Sequence, residues 1–187
     1  ATISFSNMFK STTLFNGDIS NWDVSRVNTF DNMFNNAASF NQNIGSWNVA
    51  NATNMSSMFR NADAFNIDIS AWDVSLVTNM KEMFSYNDLF NKNLSNWNVS
   101  SVTNMNFMFF RAANFNSPLN WGNKTGNVTN MSGMFKEAVV FNQDIGNWDV
   151  SSVTNLGYMF RSAIAFNKDL SNWNVSSVTI MAEMFYG

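Results

Sequence analysis

A repeat of about 25 residues runs through this chain and constrains its fold more than any other feature. Tryptophans occur at positions 22, 47, 72, 97, 121, 148 and 173, so their spacing stays between 24 and 27 residues. A Met-Phe pair recurs eight times, from Met8-Phe9 to Met184-Phe185, and a Phe-Asn pair occurs once per unit. Such self-similarity is typical of repeat proteins, in which no unit can bury its apolar side alone.

The apolar spacing changes along each unit. The segment from Met55 to Ala62 carries Met, Met, Phe and Ala at positions i, i+3, i+4 and i+7, which predicts a helix of about two turns. Further along, Trp72 and Val74 alternate with Asp73, which predicts an extended segment with one buried side. We therefore predict one domain over residues 1–187, an α/β solenoid of about seven coils with short strands on one side and short helices on the other.

The composition excludes several classes of function. The chain is 45% hydrophobic but only 12% charged, with a net charge of -3, so no basic patch is available for nucleic acid. His and Cys are both absent, which removes the commonest general base and the commonest metal ligands. We predict a non-enzymatic protein with no catalytic residue, no metal and no cofactor. No apolar run approaches 18 residues, so we predict no membrane span.

The asparagine that follows the phenylalanine in every unit is the first candidate for a special role. Asn carries both a donor and an acceptor, so a column of Asn can bond main-chain groups of its own and adjacent coils. We predict a structural ladder of buried amides rather than a binding site. Its members are Asn16, Asn41, Asn66, Asn91, Asn116, Asn142 and Asn167.

Two further columns alternate Asp with Asn. One begins with Asp18 and Asn43, and the other begins with Asp23 and Asn48. Neighbouring strands lie about 4.8 Å apart, so the alternation keeps like charges from stacking directly. Calcium binding is the alternative interpretation, but a calcium site needs several oxygens that converge on one ion.

Several Asn-x-Ser/Thr motifs could carry glycans. Asn98 and Asn174 alternate with buried Trp and Val and should point outward, whereas Asn123 lies in a predicted loop. These three are the candidate glycosylation sites if the source is a secreting eukaryote.

The chain departs from its own pattern in two ways. Residues 116–127 contain the only proline, Pro118, and lose one residue before Trp121 but gain two after it. This stretch predicts a loop, which is either tolerated drift or part of a binding face. The aromatic residues outside the repeat pattern are the best surface candidates, although they could also fill gaps between coils. They are Tyr86, Phe107, Phe110 and Tyr158.

The full motif, W-D-V-S-x-V-T-N-M-x-x-M-F-x-x-A-x-x-F-N-x-D-I-S, resembles the repeat of a known family. It is similar to mycoplasma-type surface lipoproteins of unknown function, relatives of the BspA-like leucine-rich repeats. The best copies are residues 22–46 and 72–95. The resemblance implies a right-handed solenoid with a parallel sheet, an extracellular or cell-surface location, and roles in adhesion.

The first and last coils carry Met and Phe where capped solenoids place polar residues. We therefore expect both end faces to be exposed, either because the sequence is truncated there or because the faces serve as interfaces. The function predicted from this is a structural protein whose copies stack head to tail into a fibre or surface layer. The alternative is an adhesin that holds a glycan or protein on its outer sheet face and the Pro118 loop. The candidate assembly residues are Phe5, Met8, Phe9, Met181, Met184 and Phe185.

Overall fold

Regular secondary structure is sparse in this protein. The computed structural model describes residues 3–187. Strand β1 (Ile3–Ser4) pairs in parallel with strand β2 (Val27–Thr29), and a 3-10 helix spans Gly122–Thr125. Turns and irregular backbone make up the rest. The later units extend the β1–β2 pairing by single-residue parallel bridges, at the position just before the first apolar residue of each Met-Phe segment. These bridges join Thr29, Asn54, Asn79, Asn104, Asn130, Asn155 and Ile180 in succession.

The predicted helices are wrong. Within residues 3–187 the Met-Phe segments contain no α-helix, and each is a run of tight turns. In the third unit, the N–H of Met58 donates to the carbonyl of Met55 at 3.3 Å, and the N–H of Arg60 donates to that of Ser57 at 3.2 Å. The intervening N–H groups donate to the next unit instead: Ser57 to the carbonyl of Lys81 at 2.7 Å, for example.

Two left-handed residues per unit produce this arrangement. In the third unit they are Ser57, with φ of 52°, and Asn61, with φ of 55°. A two-turn helix would leave most of its main-chain groups without intrahelical partners. In the turn arrangement, successive N–H groups donate alternately within the unit and to the next unit. The segment therefore needs a neighbouring unit to complete its hydrogen bonds.

The Trp segments also differ from the prediction. The structure closes them with turns, in which the N–H of Trp72 donates to the carbonyl of Ile69 at 3.1 Å and that of Val77 to Val74 at 2.9 Å. Within residues 3–187 no strand lies in these segments. The parallel pairing lies instead at the junction before the Met-Phe segments, because alternation over three residues is too short to specify a strand.

The core consists of aromatic columns that run from unit to unit. Phe34 and Phe59 stack with ring centroids 5.7 Å apart, and Phe34 also stacks on Phe40 of its own unit at 3.9 Å. The indole N–H of each interior Trp donates to a carbonyl of the preceding unit, as Trp72 does to Ile44 at 3.2 Å. Burial of the apolar side chains therefore depends on the neighbouring units.

The irregular residues 116–127 fold onto the stack. Trp121 is buried and stacks on Trp148 with centroids 5.2 Å apart. Thr125, at the end of the 3-10 helix, is also buried, and its hydroxyl donates to the carbonyl of Asp149 at 2.9 Å. The phenylalanine columns continue past these residues, since Phe109 stacks on Phe135 at 5.6 Å and Phe115 stacks on Phe141 at 6.0 Å.

Candidate functional site

The asparagine column forms a continuous set of bonds between units. The Oδ1 of Asn41 accepts the main-chain N–H of Asn66 at 3.0 Å, and the Oδ1 of Asn66 accepts that of Asn91 at 3.2 Å. The same bond joins Asn16 to Asn41 and links the later members up to Asn167. The prediction that these amides are buried is wrong, because the side chains are exposed or half-buried. The geometry gives the column a role in holding units together.

The Asp/Asn columns cap turns within the units. Asp68 Oδ1 accepts the N–H of Ser70 at 2.9 Å, and Asn43 Oδ1 accepts that of Gly45 at 3.2 Å. Asp and Asn serve equally because both offer an acceptor oxygen two residues before an N–H. The hydrogen bond from the main chain of Ser70, aided by its side chain, lowers the pKa of Asp68.

The three candidate glycosylation residues, Asn98, Asn123 and Asn174, are all exposed. Asn98 and Asn174 each accept the main-chain N–H of the serine two residues later, at 3.3 and 3.2 Å. Asn123 lies within the 3-10 helix. Both hydrogen bonds use Oδ1, so the side-chain nitrogen, to which a glycan attaches, takes no part in them.

The six candidate assembly residues differ in exposure. Phe5 and Phe9 are half-buried, and Phe9 stacks on Phe34 at 5.5 Å. Met184 is buried, contrary to the expectation for an end residue. The three remaining residues are exposed: Met8, Met181 and Phe185.

The solvent side of the Met-Phe segments forms a continuous surface that the repeat pattern did not predict. We call it the turn face. The first units place small or polar residues at its left-handed positions, such as Asn32 and Asn36. The central units place Glu82, Tyr86 and Phe107 there, with φ between 55° and 57°. Left-handed backbone costs a bulky residue roughly 1 to 2 kcal/mol, so these side chains are displayed at the expense of stability.

Cations and rings alternate along the turn face. The guanidinium carbons of Arg60 and Arg111 lie 5.3 and 5.4 Å from the ring centroid of Tyr86. Phe110 packs edge-on to Tyr86 at 4.8 Å, and the Lys136 ammonium lies 5.0 Å from the Phe110 ring centroid. These contacts fix the orientation of the rings.

Each arginine of the turn face also pairs with a glutamate of the following unit. The nitrogen-to-oxygen distances are 3.1 Å for Arg60 and Glu82, and 3.0 Å for Arg111 and Glu137. Since these pairs are partly exposed, they contribute little to stability and serve mainly to order the side chains.

A groove of about 530 Å³ runs along the turn face. It extends from Asn61 to Ser162, across five units, and Tyr86, Asp63 and Asp88 border it. Burial, and then the charge of Asp88, raise the pKa of the Asp63 carboxyl. The groove thus offers carboxylate acceptors beside an aromatic ring.

A second cavity of about 140 Å³ shares the Tyr86 wall with the groove. Phe107 and Phe110 form the aromatic part of its lining, and Arg60 and Ser85 contribute polar atoms. Of the four aromatic residues that the sequence analysis named as surface candidates, Tyr86, Phe107 and Phe110 line this cavity. Tyr158 borders neither this cavity nor the groove. The occurrence of bulky residues two and six positions after the first Met was the signal that could have revealed this surface.

Taken together, units that complete one another's hydrogen bonds and bury one another's rings define a repeat protein. The family model described as "Mycoplasma protein of unknown function, DUF285" matches residues 2–75, 67–123 and 120–187. The chain belongs to this family, and the predicted membership of the mycoplasma-type repeat family is confirmed. No curated protein and no solved structure matches the chain. Within residues 3–187, no helix has the length and apolar character needed to cross a membrane.

Proposed function

We propose that this chain is a non-enzymatic structural protein of the cell exterior, one solenoid domain whose copies join head to tail. The observation that supports the proposal is the directional bonding of the Met-Phe segments, whose N–H groups donate to carbonyls of the next unit, as Ser57 does to Lys81 at 2.7 Å. The N–H groups of Glu183 and Phe185 make no main-chain hydrogen bond within residues 3–187, and neither do the carbonyls of Ser6 and Met8. In the Met-Phe segments, one face therefore offers donors and the opposite face offers acceptors.

The same pairing already operates between units inside the chain. The N–H of Phe160, which is equivalent to that of Phe185, donates to the carbonyl of Met184 at 2.9 Å. The carbonyl of Met33, which is equivalent to that of Met8, accepts from Phe9 at 2.9 Å. A second copy placed on the Phe185 face would repeat this contact.

Aromatic burial favours the same arrangement. Phe185 is 61% exposed, whereas Phe160, one unit earlier in the same column, is 3% exposed. Trp22 is 39% exposed, and Trp47 in its column is 4% exposed. A second copy that extended these columns would bury both rings and gain roughly 1.5 to 3 kcal/mol for each side chain that becomes fully buried. Because the two faces differ, the contact is heterologous and can propagate.

Variants of the two faces test the proposal. Phe185→Lys should block the donor face and Met8→Lys the acceptor face, so each variant alone should be monomeric. Each variant keeps one intact face, so an equimolar mixture should form dimers but no longer species. The unmodified protein should form longer chains at about 100 µM, a concentration at which even contacts of modest affinity are populated. Light scattering coupled to gel filtration, with electron microscopy, measures all four samples.

Leu76→Lys is the matched control, because Leu76 is 51% exposed on the flank of the stack and belongs to neither face. It should assemble like the unmodified chain. Monomeric unmodified protein, or longer species in the mixture of the two face variants, would contradict head-to-tail joining.

The extracellular location and the relationship to BspA-like leucine-rich repeats are part of this proposal. Both rest on the resemblance of the W-D-V-S-x-V-T-N-M-x-x-M-F unit to surface lipoprotein repeats. Surface labelling of intact cells that express the protein tests the location.

A second candidate function is the binding of a glycan or a protein at the surface. The observation that favours it is the groove along the turn face, where strained residues display rings and charges. We therefore propose the turn face as the binding surface in place of the Pro118 loop, because Trp121 and Thr125 of that loop are buried in the stack.

A further inference from the structure

The cavity beside Tyr86 contains polar atoms without partners. Ser85 is 1% exposed, and within residues 3–187 its Oγ makes no hydrogen bond. The Nε of Arg60 lies 3.1 Å from a Glu82 oxygen but is not aligned for a hydrogen bond with it. A buried polar atom without a partner destabilises the fold by about 1 to 3 kcal/mol. A ligand that supplies hydrogen-bonding groups to the cavity would remove this cost.

The lining combines three kinds of contact. Arg60 and Ser85 can donate, Glu82 can accept, and Phe107 and Phe110 offer apolar ring surface. A guest that fits must carry donors and acceptors on a compact frame that also has an apolar side. A hexose ring has this character, since its hydroxyls donate and accept while its C–H groups contact aromatic rings.

The adjoining groove extends the same chemistry. It crosses five units, or about 19 Å at the strand spacing of about 4.8 Å, so it has room for further residues of a linear chain. Asp63 and Asp88 provide acceptors along it. Arg111 also lines the groove, but its guanidinium pairs with Glu137 at 3.0 Å. Asp63 and Asp88 therefore leave the groove with a net negative charge, which disfavours nucleic acid and acidic polysaccharide.

The main chain of the groove excludes the usual mode of binding an extended peptide. The N–H of Tyr86 donates to the carbonyl of Phe110 at 2.7 Å, and that of Arg111 donates to Lys136 at 2.9 Å. With these N–H groups already paired inside the stack, a peptide could not add itself as a strand. Recognition must come from side chains.

We propose that the Tyr86 cavity and the adjoining groove bind a neutral oligosaccharide, with one hexose ring in the cavity and the following residues along the groove. The proposal rests on the second candidate function, recognition of a glycan, and is independent of head-to-tail assembly. Ser85 and Arg60 donate to ring hydroxyls, and Glu82 accepts from one. Tyr86 borders both the cavity and the groove, so its ring contacts the first sugar and the second.

Saturation-transfer NMR with four neutral tetrasaccharides tests the site: maltotetraose, cellotetraose, chitotetraose and mannotetraose, each at up to about 10 mM, which covers weak millimolar binding. At least one should receive magnetisation from the protein. Ser85→Ala removes an unpartnered hydroxyl, so it should weaken binding about tenfold while leaving thermal stability unchanged or higher.

Tyr86→Ala should abolish binding. Tyr158→Ala is its matched control, because Tyr158 also has a left-handed backbone, lies near an arginine and borders neither cavity nor groove. The control should bind as the unmodified chain does. Circular dichroism melting of each variant verifies that it is folded.

The comparison probes are a proline-rich dodecapeptide and tetragalacturonic acid. The proposal is overturned if no neutral tetrasaccharide binds, if only a comparison probe binds, or if both Ser85→Ala and Tyr86→Ala retain full affinity. The same titration on Phe185→Lys separates the two functions: equal affinity there supports a sugar site that works without assembly, and loss of affinity overturns that independence.

Discussion

Six aspartates of the turn-capping columns accept a main-chain hydrogen bond from the serine two positions later. Each of these bonds favours the charged carboxylate and lowers its pKa. The main-chain bond is the larger cause for three of them, and the serine side chain is the larger cause for the other three. The two groups are Asp18, Asp68 and Asp169, and Asp23, Asp73 and Asp149.

Acid should therefore destabilise the protein through these six groups. Because their pKa values are lowered on folding, the stability they contribute is complete above the unfolded value of about 3.9 and is lost as pH falls through the folded values. Replacing all six by Asn keeps the acceptor oxygen and removes the titration. We expect urea unfolding between pH 6 and pH 2 to show a shallower loss of stability for this variant than for the unmodified chain.

Asp63 provides a control of opposite sign. Its pKa is raised on folding, so its protonation stabilises the folded state as pH falls. Asp63→Asn should make the loss of stability in acid slightly steeper. Parallel pH profiles for the unmodified chain and the sixfold variant would contradict the assignment.

Individual roles were predictable from the sequence where a residue recurs in every unit. The Asn after each Phe could be assigned to contacts between units because its chemistry and period leave few alternatives. The partnerless Ser85 could not be found in this way, since other units place Asn35, Arg60 or Phe110 at its position and only the folded chain shows the cavity beside it.

The Met-Phe segment is the element on which sequence and structure differ most. Apolar residues at i, i+3, i+4 and i+7 fit one helix face, but they fit two successive turns of this kind equally well. Left-handed residues decide between the two, and Gly133, with φ of 60°, is the clearest sign of them in the sequence. Asn at the same position in other units is the weaker sign, because Asn also favours helix caps.

Gly133→Ala should be unusually destabilising. Its Cβ would meet the ring of Phe107 of the preceding unit, and the left-handed backbone itself disfavours Ala. We expect the free energy of unfolding to fall by about 2 to 4 kcal/mol, from roughly 1 to 2 kcal/mol of backbone strain plus overpacking. Urea denaturation provides the measurement.

Gly122→Ala isolates the backbone contribution, since Gly122 has φ of 54° and open space around it. It should cost only about 1 to 2 kcal/mol. In a Phe107→Ala background, the cost of Gly133→Ala should fall to the same value. Equal costs for the two glycines in the unmodified background would show that Phe107 does not cover Gly133.

The whole stack should tolerate the loss of a unit if phase is kept. Deleting residues 50–74 joins Val49 to Ser75 and restores the W-N-V-S motif. We expect this variant to fold with a single transition and with a urea m-value lower by about one eighth, because stability in such proteins sums over units and their interfaces. Circular dichroism during urea titration reports both quantities.

An out-of-phase deletion of residues 50–70 is the comparison. It removes fewer residues but places the Asn ladder and the phenylalanine columns out of register, so it should unfold at much lower urea. If the shorter deletion were the more stable, register between units would not govern the fold.

The hydrogen bonds that join the units, such as Ser57 to Lys81, lie along the direction in which the units succeed one another. A force that pulls the two termini apart therefore breaks these hydrogen bonds one row at a time, beginning with the outermost row. Under tension the protein should lengthen as units detach one after another from its ends at a nearly constant force, whereas a load across the stack is shared by many rows at once. Resistance to rupture is thus directional, strong sideways and compliant lengthwise.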